Sequence, residues 1–152
     1  MQREQKAANE AKKEYLWQYR KALQKEKEIE EEIYQLRMNK ISPSLVQDGL
    51  PHGSGGSDLS GYAAKIDELL RNLEKQMNKR IELRLRISRE IESMSDETES
   101  LLLRYRYIQG LKWEDIALRM DYSWRGIHKV HARALQHFQM KECMEVHTES
   151  VL

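Results

Sequence analysis

The sequence predicts an all-α protein: a long antiparallel helical hairpin followed by a C-terminal helix-turn-helix module. Three observations predict it. Charged residues make up 34% of the 152-residue chain and hydrophobic residues 39%, a balance that suits long solvated helices better than a large core. Two stretches, about residues 7–40 and 61–94, repeat apolar residues at three- and four-residue steps among Lys and Glu. Both prolines and four of the seven glycines fall in residues 42–60, which breaks the helical pattern and lets the chain reverse.

Residues 1–41 form a charged amphipathic helix. Its stripe is Tyr15, Tyr19, Ala22, Leu23, Ile29, Ile33 and Leu36, widened by Leu16 and Trp17. Such a face packs on the next helix or, as a coiled coil, on a second copy or partner; internal packing is the simpler expectation. Residues 42–60 read as a linker, with Leu45, Val46 and Leu50 able to pin part of it to the helices. Its GSGGS run lacks the spacing and the Lys-Ser or Lys-Thr of a phosphate loop. Residues 61–94 form the second long helix, with a stripe of Ile66, Leu69, Leu70, Leu73, Met77, Ile81, Ile87, Ile91 and Met94. Arg80, Arg84, Arg86 and Arg89 cluster in its second half, and the acidic run from Glu28 to Glu32 is their expected counterpart.

Residues 95–141 carry the module, and residues 142–152 read as a tail. Ser95 or Asp96 can cap a helix whose first turn is acidic. Leu101, Leu102, Leu103, Tyr105 and Ile108 give it apolar faces, and Gly110 ends it. Packing is the expected role of Tyr105 and Tyr107. A short helix over residues 113–120 follows, with Ile116 and Ala117 buried and Glu114 and Asp115 in its first turn. Asp121 stands at the turn, where many such motifs carry Gly, and Ser123 is the expected N-cap of the next helix.

That helix is expected from Trp124 to about Met140. Ile127, Val130, Ala134, Leu135 and Phe138 form its buried stripe; Trp124, Arg125, His128, Lys129, Ala132 and Arg133 face elsewhere. No acidic residue occurs from Tyr122 to Lys141. A helix apolar on one side and cationic on the other suits a groove lined by phosphates. The candidate DNA-binding residues are Lys112, Ser123, Trp124, Arg125, His128, Lys129 and Arg133. Trp124, Arg125, His128 and Lys129, nearest the N-terminal end, are placed for base edges, and Lys112 and Arg133 for phosphate.

The run KWEDIALRMDYSWRGIHKVHARALQHF (residues 112–138) resembles region 4 of bacterial sigma-70 factors. It shares an acidic pair before Ile116-Ala117, Ser123 at the turn, Ile127 four residues on, and Ala134-Leu135 near the end. The upstream LLLRYRYIQGLKWEDIA is similar to phage transcriptional regulators of the ArpU and RinA type, which carry this module. The resemblance implies a phage or prophage regulator acting at promoters, with RNA polymerase as a partner. Gly126 departs from the family, which carries a charged residue there; it removes a base-reading side chain and costs about 1 kcal/mol of helix stability relative to Ala.

A net charge of +1 argues against nucleic-acid binding over the whole surface and leaves a local basic patch. The single Cys143 excludes an internal disulfide framework and suits a reducing, cytoplasmic setting. No apolar run approaches the roughly 20 residues of a membrane span, and the N-terminus has no apolar signal core. No nucleophile elbow or paired carboxylates point to an enzyme. Cys143 with His137 and His147 lies in a polar segment unsuited to catalysis. His128 and His131 are one turn apart, but no Cys or carboxylate nearby completes a metal set, so no cofactor or metal is expected. The expectation is a sequence-specific regulator of double-stranded DNA, with a homodimer through the long helices. The alternatives are a small terminase-like packaging subunit and a helical protein-interaction module.

Overall fold

The computed structural model describes the backbone of residues 1–41 and 55–141, and the side chains of residues 1–39 and 59–141. Its α-helices are α1 (Gln2–Ile41), α2 (Gly55–Glu92), α3 (Glu97–Leu103), α4 (Trp113–Met120) and α5 (Trp124–His137). A π-helical turn, Arg104–Ile108, continues α3. No strand occurs among the described residues, so the fold is all-α. Among them, no helix is long and apolar enough to cross a membrane.

Several boundaries differ from expectation. The second long helix starts at Gly55 rather than Gly61 and ends at Glu92 rather than Met94. Residues 55–60 of the expected linker are therefore helical. Residues 42–54, with Leu45, Val46 and Leu50, and the tail of residues 142–152, with Cys143 and His147, lie outside the described residues. The last helix stops at His137 instead of near Met140. Phe138 turns extended (φ −66, ψ 134) and is fully buried. Burying such a side chain contributes about 1.5–3 kcal/mol, more than the next turn of polar helix offers.

The chain forms two compact units, and both long helices contribute to each. The unit Ala22–Arg80 is built on heptad spacing. Ala22, Glu26, Ile29, Ile33 and Leu36 on α1, and Ile66, Leu69, Leu73, Gln76 and Arg80 on α2, recur at alternating three- and four-residue steps. All are buried or half-buried. Leu70 and Met77, expected in the stripe, are instead exposed. A 3.5-residue period selects Gln76 and Arg80, and the apolar neighbours one residue on face away. The Arg80 guanidinium pairs with the buried Glu26 carboxylate. Arg80 thus engages an acid upstream of the Glu28–Glu32 run proposed for the cluster.

The other unit joins Met1–Lys21 to the chain from Ile81. Its core takes Tyr15, Leu16 and Tyr19 from α1 and Leu83, Ile87 and Ile91 from α2. Ile81, expected in the α2 stripe, is exposed, and Leu83 takes the buried position. Within this unit Arg86 bonds Glu82 at 2.8 Å, and Arg84 lies over the Tyr19 ring. The Tyr15 hydroxyl donates to buried Glu90 at 2.7 Å, and the Tyr15 ring tilts against Phe138. Leu102, Leu103, Tyr107, Ile116, Ile127, Val130, Ala134 and Leu135 complete the core. Asp96 caps α3, its carboxylate accepting from the Glu99 N–H at 3.0 Å. Gly110 follows the π turn at φ +69, a left-handed backbone that favours Gly, and an added Cβ would also displace the movable guanidinium end of Arg20.

Candidate nucleic-acid interface

The turn between α4 and α5 is closed by backbone geometry. Asp121 adopts the left-handed conformation (φ 58, ψ 47). The Asp121 N–H donates to Leu118 O at 3.3 Å and the Tyr122 N–H to Ala117 O at 2.9 Å. This pair of bonds is the Schellman arrangement usually supplied by Gly; Asp is among the few other residues that tolerate it. Ala117 is buried, and Ile116 is fully enclosed. Ser123 then caps α5, its hydroxyl accepting from the Gly126 N–H at 3.0 Å.

Gly126 has a packing reason as well. A Cβ there would meet Ser123 Oγ at 3.0 Å and the Tyr122 ring at 3.4 Å. The helix-stability cost of Gly is offset by leaving the capping hydroxyl in place.

The faces of α5 divide cleanly. Ile127, Val130, Ala134 and Leu135 are buried, as the apolar spacing requires. His131 is buried beside them, 7% exposed. At 3.6 residues per turn, Arg125, Lys129, Ala132, Arg133 and Gln136 fall within an arc of about 100°, and all five are exposed. Arg125, Lys129 and Arg133 follow one another at four-residue steps, so their charges stand in a row with no acid among them. His137 leaves this set: its Nδ1 lies 2.8 Å from a carboxylate oxygen of buried Glu99. At the C-terminal end of α5, Lys12 Nζ donates to Leu135 O at 2.8 Å and Gln136 O at 3.2 Å. A cation there satisfies the last carbonyls and suits the helix dipole. Burial lowers the Lys12 ammonium from its usual value.

The other candidate residues occupy different settings. Lys112 is exposed at the N-cap of α4 and makes no side-chain cap bond. Ser123 is exposed, with its oxygen engaged in the cap. Trp124 is 55% exposed and stands edge-on to His128, ring centroids 4.7 Å apart. His128 is half-buried, and its other ring neighbour is Trp113, also at 4.7 Å. The structure therefore gathers Arg125, Lys129 and Arg133 on one face, sets Trp124 and His128 in a ring ladder beside it, and leaves Lys112 on α4.

Behind α5, the buried Tyr107 hydroxyl shares a 2.8 Å hydrogen bond with His131 Nε2. Burial pushes the His131 imidazole down to about 3, and the positive charges of Lys13, His128 and Arg106 push the same way. His131 is thus a neutral core residue. Burial raises the Tyr107 phenol.

Gln136 and the start of α1 were missed by sequence reasoning. Gln5, Lys6, Asn9 and Lys13 line a cleft together with Ala132 and Leu135 of α5. No apolar period announces this contact, because Lys12 meets backbone carbonyls and its neighbours are polar. Among the described residues, no group of three or more His, Cys, Asp or Glu gathers as a metal set. Compared with protein-family models, curated proteins and solved structures, the chain matches none.

Proposed function

We propose that this chain is a sequence-specific DNA-binding transcriptional regulator of the phage type, which docks α5 in the major groove as the second helix of a helix-turn-helix. One observation carries the reading: the solvent face of α5 presents Arg125, Lys129 and Arg133 in a row, without an acidic residue on the helix. The α5 helix has 14 residues, about 20 Å of rise, and the major groove admits a helix of this kind. Arg125, near the N-terminal end, reads a base edge, and Lys129 joins it. Arg133 and Lys112 hold phosphates and set the register. RNA polymerase is the partner at the promoter. A second copy pairs through the long helices, a role that the exposed Tyr34, Met38, Leu70 and Met77 suit.

Fluorescence anisotropy with a selected duplex tests the roles. Arg125→Ala weakens the preferred site by about 1–3 kcal/mol and relaxes its specificity. Lys112→Ala weakens all duplexes alike and lowers the salt slope by about one. Unchanged preference in Arg125→Ala refutes the docking orientation.

A further inference from the structure

A cleft of about 350 Å³ opens beside α5 and is lined by Lys13, Trp17, Lys21, Arg106, Tyr107 and Trp113. Glu14 is the acid among its lining residues, and the three cations Lys13, Lys21 and Arg106 outnumber it. Lys13 is paired with Glu10 at 3.0 Å, whereas Lys21 is exposed. Arg106 is fixed by three contacts. Its Cζ lies 5.3 Å from the Trp17 ring centre and 4.8 Å from that of Trp113, and its Nη1 donates to Leu111 O at 3.0 Å. Its remaining N–H donors have no partner among the described residues.

We propose that this cleft binds a mononucleotide, its phosphate against Lys21 and Arg106 and its base against Trp17. The charge argues for phosphate. A phosphate monoester carries about −1.5 to −2 and three strong acceptor oxygens, which suits this cation set better than a carboxylate with one charge. The walls argue for a flat ring, since bases stack on aromatic side chains and on guanidinium planes. Both indoles are half-buried; Trp17 meets Arg106 and the edge of Tyr107, whereas Trp113 meets Arg106, His128 and His131, so Trp17 has the fewer ring neighbours and Trp113 serves as a wall. The volume lies within the range of ordinary ligand pockets.

The backbone supplies an independent observation. Arg106 and Tyr107 both lie on the π-helical turn, where Leu111 N–H bonds Tyr105 O and Gln109 N–H bonds Arg104 O, each at 3.0 Å. Such turns are rare and occur frequently at functional sites. Here the turn delivers two adjacent side chains to one cleft. Trp113 also joins the cleft to α5, because it meets His128 and His128 meets Trp124. The base and phosphate come from a free nucleotide or from a nucleotide within a single strand.

The test titrates the full chain, without duplex DNA, and follows tryptophan fluorescence. Adenosine 5′-monophosphate, adenosine, inorganic phosphate and a short single-stranded oligonucleotide are the titrants. A saturable change with the monophosphate, and at least about tenfold weaker binding of adenosine, is expected. Lys21→Glu weakens the monophosphate by about tenfold or more with an unchanged melting curve, while Lys75→Glu, an exposed charge outside the cleft, does not. Saturation by the oligonucleotide alone assigns the same site to a strand. No saturable change with either nucleotide source, or inorganic phosphate binding as tightly as the monophosphate, overturns the proposal. Because no duplex is present, failure here leaves the DNA-binding reading untouched, and failure of that reading leaves this one.

Discussion

Acid should weaken this fold through His131. The ring is 7% exposed, bonded to the Tyr107 hydroxyl, and met edge-on by Trp113 at 4.6 Å between ring centroids. Its folded value of about 3 lies below the ordinary 6.5. A depressed folded value means that the unfolded chain takes up a proton that the folded chain refuses. The stability from the neutral ring is present above about 6.5 and is lost as pH falls toward 3. Each pH unit in that window costs about 1.4 kcal/mol, so lowering the pH from about 8 to about 5 removes about 2 kcal/mol. That is a large share of a stability of about 5–15 kcal/mol. Urea melts followed by circular dichroism across this range measure the slope for the wild type and for His131→Gln, which keeps a polar partner for Tyr107 and does not titrate. The glutamine variant starts lower but has the flatter profile. Parallel profiles for the two proteins would refute the assignment of His131 as a buried neutral base.

Three further substitutions probe the backbone and the seam. Ser123→Ala removes the α5 cap and costs about 1 kcal/mol in thermal or chemical melts; a cost near zero would mean that the bond to Gly126 N–H contributes nothing. Gly110→Ala places a side chain at a left-handed φ, so it destabilises by about 1–3 kcal/mol, and an unchanged melting temperature would contradict the strained site. Glu26→Ala strips a buried carboxylate from Arg80 and costs about 1–3 kcal/mol, whereas replacing both residues by Leu recovers most of that loss; a double variant no better than the single one would show that the ion pair does not set this cost.

Much of the second half of the chain was readable from residues alone because its signals are local. The α4 boundaries, the left-handed Asp121 and the Ser123 cap each follow from a few neighbouring side chains. The α5 stripe was equally plain, since a 3.6-residue period separates its apolar and cationic faces. The long helices were harder. Leu70, Met77 and Ile81 look like core residues by type, yet the 3.5-residue seam passes through Gln76, Arg80 and Leu83. Period outweighed hydrophobicity there, helped by a polar pair that no apolar pattern reveals. The π turn at Arg104–Ile108 has no composition signature, so the placement of Arg106 beside two indoles was invisible. The contact of Lys12 with the end of α5 was hidden for a related reason: its acceptors are carbonyls, which every residue carries. At the candidate interface, exposure of Arg125, Lys129 and Arg133 was expected, while the ring contacts on both sides of His128 were not.

Selection from a pool of randomised duplexes by the purified protein, sequenced after washing at two salt concentrations, tests the central claim most directly. The account predicts one short enriched motif that survives the higher salt, and loss of that motif when Arg125 and Lys129 are both replaced by Ala. An unenriched pool whose binding fades as salt rises, or the same motif recovered by the double variant, would contradict it.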